Sequence, residues 1–229
     1  MLILAFDTSS KTASVAVLND NIILYEVIIN VGLNHSEVLL PAIEQACIQT
    51  RTKIAEIDLF ACTIGPGSFT GLRIGAGTLK GFMLATGKPA VGISSLAAIA
   101  LNAEKSSKKI CSIMDAGRGQ VYIAYFKFKK GLLEQIGQEL IVNPSEIEND
   151  QDIVFVGDGA VRYADIISHE KNNIILASQH YCRASSVGLL GKEKFNRKEL
   201  LDADKFLPLY IRSADAETKA SHFIINNNS

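Results

Sequence analysis

One arrangement of residue types occurs twice in this chain. Leu2 to Phe6 is an apolar run ending at Asp7, and the polar loop Thr8-Ser9-Ser10-Lys11 leads from it to Ala13–Val17, a turn at Asn19-Asp20-Asn21 and then Ile22 to Ile29. Later, Ile110 to Met114 ends at Asp115, Ala116-Gly117-Arg118-Gly119 leads to the alternating run Gln120 to Phe128, and a turn at Lys129-Lys130-Gly131 precedes Leu132 to Ile141. Short apolar or alternating runs punctuated by turn residues predict strands, so each copy reads as a three-stranded meander, with Asp7 and Asp115 at equivalent positions. In the first copy the chain continues into a helix over His35–Gln49, a strand over Leu59–Ile64 and a helix over Phe69–Thr86. In the second, a strand over Ile153–Val156 ends at Gly157-Asp158-Gly159 and a helix follows near Ala160–Ser168. Leu96–Ala103 and the polar stretch Glu104–Lys109 cross between the copies. The expected fold is a duplicated α/β architecture, each half a mixed sheet flanked by helices. The expected limits are 1–104 for an N-terminal subdomain, 105–220 for a C-terminal one and 221–229 for a frayed tail. A cleft is expected between the halves.

The strand over Leu59–Ile64 runs into Gly65-Pro66-Gly67-Ser68-Phe69-Thr70-Gly71. Gly65 and Gly67 reach backbone angles closed to other residues, Pro66 fixes its own φ, and Ser68 or Thr70 can cap the helix that follows. A strand, a glycine turn and a helix N-terminus can bind phosphate, but they equally describe a capped turn that holds nothing. The spacing is neither Gly-x-x-x-x-Gly-Lys-Ser/Thr nor Gly-x-Gly-x-x-Gly. The helix carries Gly71, Gly75, Gly77 and Gly81, each costing about 1 kcal/mol relative to alanine in a helix interior. Gly71/Gly75 and Gly77/Gly81 are each four apart and clear two differently oriented patches for close backbone approach, which suggests two neighbours.

With 229 residues, 48% of them hydrophobic, the chain can bury a substantial core. Its 23 Lys and Arg against 24 Asp and Glu leave a net charge of −1, so it lacks the basic footprint needed to hold nucleic acid unaided. The local clusters Lys105/Lys108/Lys109, Lys127/Lys129/Lys130 and Lys192/Lys194/Arg197/Lys198 read as solvated loops. Cys47, Cys62, Cys111 and Cys182 are scattered without a Cys-x-x-Cys, as expected of reduced core thiols. His35, His169, His180 and His222 are equally dispersed, which argues against a metal site built from near neighbours in sequence. The start, Met1-Leu2-Ile3-Leu4, is too short for a signal-peptide core, and Arg73, Lys80 and Lys88 interrupt the most apolar later stretch. The expectation is a cytoplasmic protein without a membrane span.

The duplication resembles the superfamily of acetate and sugar kinases, Hsp70 and actin (the ASKHA fold), in which the first turn of each half carries an aspartate toward a nucleotide. That resemblance makes Asp7, Ser9 and Ser10 the first phosphate loop and Asp115 the start of the second, with Gly157 and Gly159 near an adenosine position. Within the superfamily, Asp7-Thr8-Ser9, His35-Ser36-Glu37-x-Leu39-Leu40-Pro41-x-Ile43, Gly65 to Gly75, Ile93-Ser94-Ser95-Leu96 and Pro208-Leu209-Tyr210-Ile211-Arg212 are similar to the TsaB (YeaZ) family. Its members are non-catalytic partners in bacterial threonylcarbamoyl-adenosine synthesis on tRNA. One departure is that the family's second loop usually reads Asp-Ala-Arg, whereas Gly117 stands in the arginine place here and Arg118 follows it.

The resemblance also brings a comparison with TsaD, the catalytic paralogue. TsaD follows its Lys-Pro with two metal-binding histidines; aligned through Lys88-Pro89, those places fall on Ser95 and Ile99. Isoleucine cannot ligate a metal and neutral serine is a poor ligand. What the resemblance implies is therefore a scaffold without catalytic or metal-binding residues. Asp7, Ser9, Ser10, Gly65, Gly67, Asp115, Gly157 and Gly159 become vestigial cleft positions. ATP, ADP and metal are used by the partner subunits and none is bound by this chain alone.

The helix over His35–Gln49 carries Val38, Leu39, Ile43, Ala46 and Cys47 on one stripe, with Pro41 kinking it or lying in its early turns. Taken alone, such a stripe covers the chain's own sheet. The family adds another use, in which this helix and the glycine helix form a bundle with matching helices of TsaD. The implied interface is His35, Val38, Leu39, Ile43, Thr70, Gly71, Ile74, Gly75, Thr78 and Leu79, and Gly75→Leu is expected to abolish docking while sparing the fold. The same surface can support a homodimer when TsaD is absent. TsaE, a small ATPase, joins the larger complex, and tRNA is met indirectly. The alternatives are a small-molecule kinase of the ASKHA type, on the strength of the two aspartates, and a glycoprotease-like peptidase, although no zinc-binding His-Glu-x-x-His is present.

Overall fold

The structure is a computed structural model that describes residues 1–30, 32, 34–103, 106–148, 150–167, 174 and 179–203. Two sheets follow one plan. In the first, β1 (Leu2–Asp7) pairs antiparallel with β2 (Ala13–Asn19), which pairs antiparallel with β3 (Ile22–Ile29). On the other side of β1 lie β4 (Leu59–Gly65) and β5 (Ala90–Ser94), both parallel, giving the order β3-β2-β1-β4-β5. The second sheet has β6 (Lys109–Gly117), β7 (Gln120–Lys129), β8 (Leu132–Val142) and β9 (Ile153–Val156) in the order β8-β7-β6-β9, again with a meander and then a parallel strand beside its first member. Where β5 stands in the first sheet, the second has a parallel bridge from Phe155 to Ile174. The duplicated α/β fold expected from the sequence is what forms.

The outer face of the first sheet is covered by α1 (His35–Thr50) and α2 (Phe69–Thr86). Their inward residues Leu39, Ile43, Ala46, Leu79 and Met83 pack on Leu4, Phe6, Phe60 and Cys62. Phe82 of α2 stacks on Phe60 at 5.1 Å and meets Phe6 edge-on at 6.4 Å. Ser68 caps α2 by accepting from the Gly71 amide at 3.2 Å, and Gly87, at φ 66°, ends it. Pro41 sits inside α1 with its ring exposed.

Between the sheets lie α3 (Ser95–Ala100) and α6 (Ala184–Asn196), in a core shared by Ile3, Ala61 and Val91 of one half and Ile110, Tyr122 and Phe126 of the other. In the second half, α4 (Asp158–Arg162) and α5 (Ala164–Ile167) are two short helices broken at Tyr163, where one helix near Ala160–Ser168 was expected. Ser168 lies outside the described residues.

The expected C-terminal subdomain, 105–220, includes α6, which packs on the first sheet. A Cβ on Gly188 would lie 2.5 Å from Leu18 and one on Gly191 2.9 Å from Ala61, so both glycines let the helix backbone seat directly on β2 and β4. Glu26 of β3 accepts from the Ser185 amide at 2.9 Å and from the Arg183 Nε at 3.2 Å, anchoring the positive end of the helix. The last turn of α6 and the chain beyond it reach β5. Lys194 Nζ donates to the Gly92 carbonyl at 2.9 Å and the Leu201 amide to that of Ala90 at 2.8 Å. The tail 221–229, the Pro208–Arg212 motif, Lys105, His169 and His222 all lie outside the described residues. The four cysteines are free; Cys62, Cys111 and Cys182 are buried. Among the described residues no helix is long and apolar enough to cross a membrane.

Candidate functional site

Asp7 ends β1 at the mouth of the first half, but it does not open into the cleft. It is 0% exposed; its Oδ1 accepts from Ser9 Oγ at 2.6 Å, the Ser9 amide at 3.0 Å and Thr63 Oγ1 at 2.6 Å. Its Oδ2 is buried and meets no nitrogen or oxygen donor among the described residues, and the Cys182 thiol lies beside the carboxyl. Burial pushes the carboxyl above its usual range, against the pull of the Ser9 and Thr63 hydroxyls. The Gly-Pro-Gly turn packs on the residue two places further on, Ser9. The Ser68 amide donates to the Ser9 carbonyl at 2.7 Å, and a Cβ on Gly67 (φ 156°) would lie 2.1 Å from that same oxygen. Gly65 is buried, and Ser9 is 1% exposed. The expectation that Asp7 faces a nucleotide is therefore corrected, because these donors satisfy Oδ1 and the side chain is fully buried.

Asp115 is the contrasting member. Its side chain is 12% exposed, and Arg162 Nη1 reaches Oδ2 at 2.5 Å. The Gly117 amide donates to Oδ1 at 3.0 Å, and the Asp115 amide donates to Asp158 Oδ1 at 3.2 Å. Burial raises the Asp158 carboxyl, with the Asp115 charge adding to the rise and Lys11 opposing it. Gly157 (φ 111°) and Gly159 do not line an open adenosine position. A Cβ on Gly157 would meet the Ile113 carbonyl at 2.0 Å, and one on Gly159 would meet the Ile113 side chain at 2.7 Å. His180 Nδ1 accepts from the Gly157 amide at 3.0 Å.

A cleft of about 780 Å³ does separate the halves, lined by Ser10, Lys11, His35, Gly67, Thr70 and Asp115 among others. Behind it a smaller pocket of about 240 Å³ is lined by Lys11, Ile99, Asp158, Arg162, His180 and Cys182. These residues fit a metal-nucleotide poorly, since the Asp7 carboxyl is sealed, that of Asp115 is paired with a guanidinium, and that of Asp158 accepts from the Asp115 amide with burial disfavouring its charge. Ser95 and Ile99, at the places aligned with the histidines of TsaD, are 0% and 2% exposed in the inter-sheet core.

The helix pair divides the expected interface into two groups. Leu39, Ile43 and Leu79, at 1%, 3% and 0% exposure, belong to the chain's own core, so as contact residues they are corrected. Gly71 and Gly75 are corrected as well. A Cβ on Gly71 would lie 1.9 Å from the Thr8 carbonyl, and one on Gly75 would lie 2.6 Å from Thr8 Oγ1 and 3.1 Å from Cys62 Sγ. Thr8 Oγ1 itself donates to the Gly71 carbonyl at 2.8 Å. This glycine pair thus seats α2 on the first loop. His35 is half-buried, its Nε2 donating to the Ser10 carbonyl at 2.8 Å. Val38, Ile74 and Thr78 are partly exposed and Thr70 is exposed.

The other pair, Gly77 and Gly81, is exposed, and a methyl group at either position would have nothing within 4 Å. On the same helix Leu84 is 67% exposed, and on α1 Leu40 is 56% and Ile48 60% exposed. These five residues fall outside the expected interface, although the four-residue spacing of Gly77 and Gly81 already marks a second patch. Thr8 falls outside it too, and its sequence context of Asp-Thr-Ser offers no cue to its packing against α2.

The sequence profile of the TsaD family, tRNA N6-adenosine threonylcarbamoyltransferase, matches residues 30–220. The chain is 33% identical over 227 residues to the tRNA threonylcarbamoyladenosine biosynthesis protein TsaB of Bacillus subtilis, covering 96% of this chain and 97% of that protein. Among solved structures, YeaZ from Pseudomonas aeruginosa superposes with a TM-score of 0.80 at 24% identity, covering 92% of this chain and 99% of that one. The activator of the 2-hydroxyisocaproyl-CoA dehydratase from Clostridium difficile, solved with bound ADPNP, shares the fold at a TM-score of 0.51 and 14% identity, over 88% of this chain and 99% of that one.

Proposed function

Because the chain belongs to the TsaB family of tRNA threonylcarbamoyladenosine biosynthesis proteins, we propose that it serves that modification as a non-catalytic scaffold that docks and activates TsaD. The observation that carries this reading is the outer side of α1 and α2, where Gly77 and Gly81 leave the helix backbone open to a close neighbour and Leu84 of α2 and Leu40 and Ile48 of α1 expose apolar surface. Exposed apolar side chains and an open backbone suit helix-on-helix docking better than they suit solvent.

The cleft supports the non-catalytic half of the proposal. With Asp7 sealed, Asp115 tied to Arg162 and Ile99 at an aligned ligand position, no group of side chains among the described residues is set up to hold a metal for transfer. ATP, ADP and metal then belong to partner subunits, TsaE joins through the complex, and tRNA is reached through TsaD. A kinase reading requires metal-dependent nucleotide binding by the isolated chain; calorimetric titration with ATP and magnesium is expected to show none. The pure chain is likewise expected to modify no tRNA by itself.

The docking face is tested by Gly77→Leu combined with Gly81→Leu. Both side chains project into open space, so the thermal melt should stay near wild type while affinity for TsaD, measured by calorimetry, falls at least tenfold. Unchanged affinity would overturn the assignment.

A further inference from the structure

The two helices of the docking face differ in charge as cleanly as their lengths allow. Across His35–Thr50, α1 carries Glu37 and Glu44 and no Lys or Arg; across Phe69–Thr86, α2 carries Arg73 and Lys80 and no Asp or Glu. Glu37, Glu44 and Arg73 are exposed and Lys80 partly so. Glu44 and Lys80 make no hydrogen bond or ion pair among the described residues. Glu37 accepts only from Asn34 Nδ2, at 2.6 Å, and Arg73 lies over the Phe69 ring at 4.0 Å. No acid of α1 is spent on a base of α2, although both helices border one face.

Within each helix the two charges are seven residues apart, two turns, or about 10 Å along the axis. The acids stand on the outward side of α1, and the bases flank the open stripe of Gly77 and Gly81. A two-helix partner laid over this face has two ways round. One sets like charges opposite each other, and that arrangement costs more than a favourable surface pair returns.

Resting on the docking proposal above, we infer that this charge division fixes the orientation and register of TsaD. A helix of TsaD bearing cations two turns apart lies over α1, and one bearing acids at the same spacing lies over α2. The family profile of TsaD spans both helices of this chain, so a partner built on the same plan brings a matching helix pair. Crossing α1 over a cationic helix of that pair, and α2 over an acidic one, sets acids against bases on both sides. The apolar residues and open glycines supply affinity, and the four charges supply direction.

Two charge reversals on the full chain test the inference, Glu37→Lys with Glu44→Lys, and Arg73→Glu with Lys80→Glu, with melts recorded to confirm folding. Affinity for TsaD should fall about tenfold or more for each at 50 mM salt. The loss should shrink to within about twofold at 500 mM, since exposed charges are screened there. Neutral Glu37→Gln with Glu44→Gln should lose less than the reversal. If reversals change affinity less than twofold at low salt while Gly77→Leu with Gly81→Leu abolishes it, the orientation inference fails and the docking face stands. If neither set matters, both fall. If reversals disrupt self-association of the chain, read by analytical ultracentrifugation, but leave TsaD binding intact, the charges serve a second copy and the inference is overturned.

Discussion

Gly71/Gly75 and Gly77/Gly81 lie on one helix with identical spacing, and they meet opposite surroundings. The first pair is filled from within: Thr8 of the loop after β1 presses its carbonyl and hydroxyl where methyl groups would stand. The second pair faces open space. Glycine spacing therefore announces a close approach without saying whose backbone or side chain makes it. What separates the pairs is their position around the helix relative to Leu72, Leu79 and Met83, which point into the core. The first pair turns with that stripe and the second turns against it.

The comparison is most sharply broken at Gly71. Substituting alanine there drives a Cβ onto a backbone oxygen of the buried first loop, and a loss of several kcal/mol in urea-unfolding stability is expected, more with leucine. Gly75→Leu should likewise unfold the chain, contrary to the expectation that it spares the fold. A milder contrast follows at Gly75→Ala, whose nearest obstacle is the Thr8 hydroxyl and not backbone. Adding Thr8→Ala should return about 1 kcal/mol of the loss, whereas the same change added to Gly71→Ala should return nothing. At Gly77→Ala the sign reverses. With no contact to violate, stability should rise by about 0.5–1 kcal/mol, visible as a higher melting temperature.

The smallest effect concerns the neighbouring aspartate. Asp7 titrates above its reference value of 3.8 in the folded chain, so the protonated form favours the fold. The stability advantage of wild type over Asp7→Asn should be greatest below pH 3.8 and shrink as pH rises through the folded value, measured as a difference between paired unfolding curves. An advantage that instead grows with pH would mean that the carboxyl is held ionised.

Much of the fold was legible because it is written in local pattern. The meanders, α1 and α2 begin within a residue of where apolar runs and turn residues put them, and the two aspartates fall at equivalent ends of β1 and β6. What escaped was pairing over distance. Thr63 lies 56 positions from Asp7, and nothing near either residue says that a hydroxyl will close over the carboxylate. Arg162 reaches Asp115 across 47 positions by way of a helix whose break at Tyr163 the sequence does not mark. Neither α6 nor its destination was legible: the Lys192/Lys194/Arg197/Lys198 cluster reads as a solvated loop, yet Lys192 and Lys194 lie within the helix and Lys194 reaches the Gly92 carbonyl. An amphipathic helix advertises that it covers a sheet, and Gly188 and Gly191 advertise close seating, but neither names which sheet.

That helix has a consequence for how the protein is made. Its residues 184–196 fill the inner face of a sheet whose strands are complete by Ser94. As the polypeptide is synthesised, the N-terminal sheet must wait, with Leu18, Ala61 and Val91 uncovered, until almost the whole second half has been added. The N-terminal half is consequently not a unit that can mature first and recruit a partner early. Assembly competence arrives late, with a segment on the opposite face of the first sheet from α1 and α2.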